Sequence, residues 1–163
     1  MVSKKVSVKI PAGVDNGSRL RLTGEGEPGV YGGPPGDLYV FLYVEPHEFF
    51  QRHDNDVICK IPISFVQAAL GDKIEVPTLN GQKKLQIPKG TQPGDVLYFQ
   101  GEGIPSLRTQ KRGDQIIQIE IKTPTNLTKK QETLLKEFAK LESNKLSAKL
   151  RNILKGRTSE VAS

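Results

Sequence analysis

Cysteine is nearly missing from this sequence: Cys59 is the single one among 163 residues. One thiol excludes an internal disulfide framework and any cysteine-rich zinc site built from this chain alone. Histidine is almost as scarce. His47 and His53 stand six positions apart with no clustered cysteine beside them, so they read as turn or surface residues before they read as metal ligands. Long apolar runs are missing too. The stretches Leu38–Val44 and Ile116–Ile121 fall far below the ~20 residues that a membrane span needs. No N-terminal segment combines a basic start, an apolar stretch and a cleavage site, so the expectation is a soluble, cytoplasmic protein without an export signal. Charge of one sign is lacking where a nucleic-acid surface would need it. Residues 1–122 carry 15 Lys and Arg against 14 Asp and Glu, whereas residues 123–163 carry 9 against 4. The basic character belongs to the tail, which argues against a nucleic-acid-binding module in the β-rich part.

One short stretch matches a known pattern. Gly24-Glu25-Gly26-Glu27-Pro28-Gly29 satisfies G-x-G-x-x-G, the signature of a dinucleotide loop. Such a loop opens a helix whose N-terminus holds a pyrophosphate. Here Gly32, Gly33, Pro34, Pro35 and Gly36 follow, a loop composition, and Glu25 and Glu27 would repel phosphate.

The pattern has a second explanation, because the chain repeats itself. Val8–Gly26 aligns without gaps on Leu85–Gly103 at an offset of 77 residues. The pairs Ile10/Ile87, Pro11/Pro88, Gly13/Gly90, Gly17/Gly94, Leu20/Leu97, Gly24/Gly101, Glu25/Glu102 and Gly26/Gly103 are identical. So are Pro28/Pro105, Gly36/Gly113 and Asp37/Asp114. The second copy keeps Gly-Glu-Gly-x-Pro and loses the third glycine. Both copies therefore carry what a strand end turning into a loop requires, a permissive glycine and a proline stop.

Each copy reads as β-structure. Val6, Val8 and Ile10 alternate with polar residues, as do Leu20 and Leu22 with Arg19 and Arg21. In Leu38–Val44, Leu38, Val40, Leu42 and Val44 line one face, and Tyr39, Phe41 and Tyr43 the other. Upstream of the second copy, Val57–Ile63, Ser64–Gly71 and Lys73–Val76 read as a strand, a short helical turn and a strand. Their counterparts would precede Met1, so the first copy is expected to lack its first half, through being part of something longer or through completion by another chain.

These residues resemble the C-terminal client-binding region of DnaJ-type co-chaperones. The resemblance rests on IPAGVDNGSRLRLTGEGEPG, PGDLYVFLYVEPHEFFQRHDNDV, and ISFVQAALGDKIEVPTLNG followed by LQIPKGTQPGD, and it covers residues 5–142. It implies a mainly β chain: two tandem β-sandwich-like subdomains, the first incomplete, then a C-terminal α-helix that makes a homodimer. The implied division is residues 1–46 for the second half of the first subdomain and 47–124 for the second subdomain. Residues 125–142 are the dimerisation helix, and 143–163 a basic tail, partly helical or disordered. The implied function is to hold unfolded or partly folded polypeptides and deliver them to a DnaK-type ATPase chaperone. No His-Pro-Asp tripeptide and no C-x-x-C-x-G-x-G repeat occur in this sequence, so neither the J-domain nor the zinc module is present in it, and no cofactor is expected. In the family, glycine usually precedes the acidic residue in the turn after His-x-x-Phe. This chain has Asp54 and Asn55, which tolerate the left-handed conformation.

The family places its client groove on the first subdomain, and the apolar candidates for its lining are Leu20, Leu22, Tyr39, Phe41 and Phe50. In Asn126–Glu142, Thr128 and Gln131 fit a capping box. Leu134, Leu135, Phe138 and Leu141 form the stripe assigned to dimerisation. Beyond it, Leu146, Leu150, Ile153 and Leu154 have helical spacing within a basic segment that Gly156 could stop. The competing reading is a β-sandwich carbohydrate- or nucleic-acid-binding module. No catalytic constellation is visible: Asp54, Asp56 and Asp72 sit in turns without identifiable partners, and the duplication of Glu25 as Glu102 favours a structural role. The chain is expected to be no enzyme and to bind neither membrane nor specific nucleic acid.

Overall fold

The computed structural model describes residues 4–157. The chain divides into two compact units, one ending at Lys122 and the other beginning at Thr123. Both copies of the repeat lie in the first.

Alternating side chains build the second copy's sandwich. Strands β3 (Gln51–His53), β4 (Asp56–Ser64), β7 (Val96–Phe99) and β8 (Gln115–Lys122) form one sheet in the order β3-β4-β8-β7. Within it β4 and β8 run parallel and the other pairs antiparallel. Strands β5 (Asp72–Thr78) and β6 (Gly81–Ile87) form a separate hairpin. Every second residue of β4 is buried, and Cys59, Ile61 and Ile63 join Phe99, Ile117 and Ile119 in one core with Val76, Leu85 and Ile87 of the hairpin. Helix α1 (Phe65–Leu70) adds Ala68 to that core. It begins where it does because Ser64 and Gln67 cap each other: the Ser64 hydroxyl accepts from the Gln67 amide and the Gln67 side chain accepts from the Ser64 amide.

The first copy contains β1 (Arg19–Leu22) and β2 (Leu38–Phe41), an antiparallel pair. Its register repeats that of β7 and β8. Arg19 faces Phe41, Leu20 faces Val40, Arg21 faces Tyr39 and Leu22 faces Leu38. In the second copy Val96 faces Gln118, Leu97 faces Ile117, Tyr98 faces Ile116 and Phe99 faces Gln115. Each residue is its counterpart shifted by the same 77 positions. The flanking bonds repeat as well: Gly17 N donates to Leu42 O as Gly94 N does to Ile119 O, at 3.0 and 2.8 Å. The duplication read from the sequence is thus a duplication of backbone hydrogen bonding.

Several local expectations need correction. Val6, Val8 and Ile10 form no strand. Their counterparts lie on β6, which is paired by β5; among the described residues no strand pairs with Val6–Ile10, and alternation alone does not make a strand. Strand β2 ends at Phe41 rather than at Val44, although the alternation continues, with Leu42 and Val44 half-buried and Tyr43 exposed. The two helical segments expected at 126–142 and 145–155 are one helix, α2 (Lys129–Arg157). Neither glycine nor proline separates them. Gly156 stands one residue before the last described residue of this helix, Arg157. The Thr128–Gln131 capping box is present, with bonds of 2.9 and 3.2 Å. Asp54 adopts the left-handed conformation (φ 53°) and closes the β3–β4 turn without glycine.

Candidate functional site

The duplicated Gly-Glu-Gly motif uses its two glycines differently. Gly24 and Gly101 have φ of 74° and 71°, a region that side-chain-bearing residues avoid. Their amides donate to the Asp37 and Asp114 carboxylates, at 3.0 and 2.8 Å. Gly26 and Gly103 instead lie against backbone. Their amides donate to Gly36 O and Gly113 O, both at 2.8 Å, and a Cβ on Gly103 would meet Asn55 O and Gly113 C at 2.5 Å. The glutamates between them pair with lysines, Glu25 with Lys4 and Glu102 with Lys83. The Gly24 and Gly26 amides, and those of Gly101 and Gly103, are committed to the fold and not to a phosphate.

Asp37 is the best-held carboxylate of the first copy. It accepts from the Gly24 amide and pairs with the Arg21 guanidinium, and these two interactions, in that order, hold its carboxyl below the usual carboxylate range. Asp56 and Asp72 also have partners, contrary to expectation. Asp56 accepts from the Asp114 amide at 2.7 Å. Asp72 accepts from the Gln67 side chain and the Lys73 amide, which lower its pKa. These carboxylates hold turns together.

The five candidate groove residues do not share one surface. Leu20 and Leu22 are half-buried and, with their cross-strand neighbours Val40 and Leu38, form one face of the β1–β2 pair. Tyr39 and Phe41 lie on the opposite face, 47% and 71% exposed, where Arg19 stacks over the Tyr39 ring at 5.3 Å. The counterparts of Leu20 and Leu22 are Leu97, packed against the core, and Phe99, buried in it. In the second copy β8 is flanked on both sides, by β7 and β4. Among the described residues β2 pairs with β1 alone.

Phe50 belongs elsewhere. It packs edge-on to Phe49 with ring centroids 4.8 Å apart, against the second copy's core. Both rings line a cleft of about 1370 Å³ that also takes in Asn16 and Val44 of the first copy and Ile58 and Leu79 of the second. That exceeds the ~300–1,000 Å³ typical of small-molecule pockets. The aromatic pair is fixed by His47, whose Nδ1 accepts from the Phe49 and Phe50 amides at 3.0 and 3.1 Å. One ring nitrogen of His47 is therefore a structural acceptor. No cluster of metal-ligating side chains occurs among the described residues. Cys59 is buried, which pushes its thiol pKa up, and its sulfur accepts from the Gln115 side chain.

In α2, Leu134, Phe138 and Leu141 are 50–64% exposed and Leu135 is half-buried. Leu146, Leu150 and Ile153 are exposed too, but at 100° per residue they fall on a different side of the helix from Leu134 and Phe138. Leu154 lies outside the side chains described. No described helix is long and apolar enough to cross a membrane.

Sequence reasoning passed over Arg52 and His47 as positioning groups. Neither lies within the duplicated segments, so the repeat offered no signal for them. Asp37 and Asp114 were visible as an identical pair, without their glycine-amide partners.

A family model described as "DnaJ C terminal domain" matches residues 1–124. Proteins called "Chaperone protein DnaJ" are similar over most of the chain. The protein from Geobacillus kaustophilus (strain HTA426) is 58% identical over 138 residues, 85% of this chain and 36% of its own length. That from Brevibacillus choshinensis is 55% identical over 144 residues, covering 88% and 38%. That from Azorhizobium caulinodans is 51% identical over 165 residues, covering 96% and 43%. The chain thus spans little more than a third of the length of the curated relatives it matches.

Proposed function

This chain belongs to the DnaJ C-terminal domain family, and from that premise we propose that it binds non-native polypeptides, dimerises through α2, and serves delivery of clients to a DnaK-type ATPase chaperone in the cytoplasm. The coarser part, a chaperone role, follows from relatives that are named chaperone proteins. The observation that carries the finer reading is the exposed pair Tyr39 and Phe41, on the β1–β2 face opposite Leu20 and Leu22. Exposed aromatic rings offer an apolar surface on which an extended client can lie, with main-chain bonds for affinity and side-chain pockets for selectivity. Such recognition reads backbone, which every unfolded chain offers, and so fits broad client choice. The cleft holding Phe49 and Phe50 provides a second apolar surface nearby in the same unit. The work is binding, and no step in it requires a catalytic group or a cofactor.

Domain roles follow the same reading. Residues 1–46 serve as the client-binding part, 47–124 as the second subdomain that supports it, and 125–142 as the dimerisation element.

Two double variants test which face engages clients. Leu20→Ser with Leu22→Ser, and Tyr39→Ser with Phe41→Ser, are compared for affinity toward a fluorescent unfolded peptide and for thermal midpoint. A client-contacting pair loses about tenfold or more in affinity at an unchanged midpoint. A pair that only lowers the midpoint is core. If both pairs leave affinity intact, the first copy is not the client surface.

A further inference from the structure

The Arg52 side chain reaches from the β3–β4 hairpin of the second copy into the first copy, donating from Nε, Nη1 and Nη2. Its Nη1 donates to Val14 O at 2.6 Å and its Nη2 to Gly13 O at 3.3 Å, while Nε donates to Asp54 O at 2.8 Å in its own turn. The Asp15 carboxylate stands 3.8 Å from Nη2. The guanidinium is rigid and planar, so three bonds in three directions fix two turns relative to each other. It is largely shielded, with 22% of its side chain exposed, which strengthens charge-assisted bonds to carbonyls.

A second contact holds the same turn from another side. Gly13 has φ of 93° and lies so close to Pro105 O that a Cβ there would collide with it. The corresponding turn of the second copy is anchored differently: the Gly90 and Thr91 amides donate to Ala68 O of α1, at 2.8 and 3.1 Å. The repeat therefore offers amides at this turn in one copy and uses carbonyls in the other. Arg52 has no partner in the repeat pattern and exists once, as a link between the copies.

We propose that Arg52 is a positioning residue that clamps the Gly13–Asp15 turn of the first copy to the second and thereby sets the width of the cleft carrying Phe49 and Phe50. Asp15, Asn16 and Val44 of the first copy and Phe50, Ile58 and Leu79 of the second all line that cleft. The turn that Arg52 grips contributes Asp15 to the lining, and Arg52 itself lines the cleft. Loosening the grip lets the walls separate without disturbing the core built on β4 and β8. The clamp is a statement about geometry. Its effect on clients rests on the client-binding reading above.

The test uses the full chain with spin labels at Thr23→Cys and Lys84→Cys, exposed positions in the first and second copies. Cys59 is 1% exposed and is expected to escape labelling in the native protein. Arg52→Ala broadens the inter-label distance distribution and weakens unfolded-peptide binding about fivefold, while amide protection of Ile117 and Ile119 stays native. Arg52→Lys, which keeps the charge but loses the fork, restores the distance only in part. Gly13→Ala, which pushes the turn away from Pro105, broadens the distribution with Arg52 intact and serves if Arg52→Ala folds poorly. An unchanged distribution in both Arg52→Ala and Gly13→Ala overturns the clamp. A broadened distribution with unchanged peptide affinity supports the clamp and refutes the cleft as a client surface.

Discussion

The two glycines of the repeated motif should respond to substitution in opposite ways, and the second copy allows the sizes to be worked out. At Gly101 the obstacle is conformational. Its φ is 71° and an added Cβ would meet nothing within 4 Å. Alanine there costs about 1–2 kcal/mol, the penalty of a left-handed residue, and asparagine, which tolerates that region, costs less. At Gly103 the obstacle is space. A Cβ would sit 2.5 Å from Asn55 O and Gly113 C, both backbone atoms, against an ordinary contact of 3.4–4 Å. The loop segments must part by roughly 1 Å, an overpacking cost of about 1–3 kcal/mol. Parting them also strains the Gly103–Gly113 and Ile104–Asn55 hydrogen bonds, at about 1 kcal/mol each. The sum for Gly103→Ala is about 3–5 kcal/mol, and asparagine is no better than alanine. In a unit of this size 1 kcal/mol moves the midpoint by about 3–5 °C. Urea and thermal unfolding followed by circular dichroism should therefore rank Gly101→Asn nearest wild type, Gly101→Ala next and Gly103→Ala and Gly103→Asn lowest. Equal losses for Gly101→Asn and Gly103→Asn would refute this division of labour.

Three further outcomes follow from the geometry. Asp37 has a lowered carboxyl pKa, so its contribution to stability is full above the unfolded-state value and fades as pH falls through the lower folded value. Hydrogen exchange at the Gly24 amide should accelerate relative to neighbouring loop amides below about pH 4, and Asp37→Asn should remove that pH dependence. Ser64→Ala removes one half of the α1 capping box and should cost about 1 kcal/mol in urea unfolding; no loss would mean that packing alone sets the start of α1. Leu134→Glu with Phe138→Glu should convert a dimer to monomers in light scattering, and an unchanged dimer mass would remove that stripe from the dimerisation assignment.

Much of the fold was legible because it is written twice. The shared glycines and prolines marked turns at a constant offset, and a constant offset between turns imposes the same register on β1–β2 as on β7–β8. The parallel pairing of β4 with β8 was not legible, since alternation identifies a strand but not its neighbour. Val6–Ile10 misled for the same reason: the pattern is that of a strand, and pairing depends on residues elsewhere. The split of α2 into two helices followed the shift of its apolar stripe between Leu141 and Leu146. That shift changes which side is apolar without breaking the backbone ladder. At the candidate site, composition marked the apolar residues but not the faces they occupy. Facing depends on register, which separates Leu20 and Leu22 from Tyr39 and Phe41. Arg52 and His47 act on main-chain atoms, and such partners leave no trace in side-chain patterns.

The claim that this chain holds non-native polypeptides is tested most directly by suppression of aggregation of a chemically unfolded client, with sedimentation of the same sample to measure mass. The account predicts suppression that rises with chain concentration, by a folded species of dimer mass. A well-folded dimer that leaves client aggregation unchanged would contradict it.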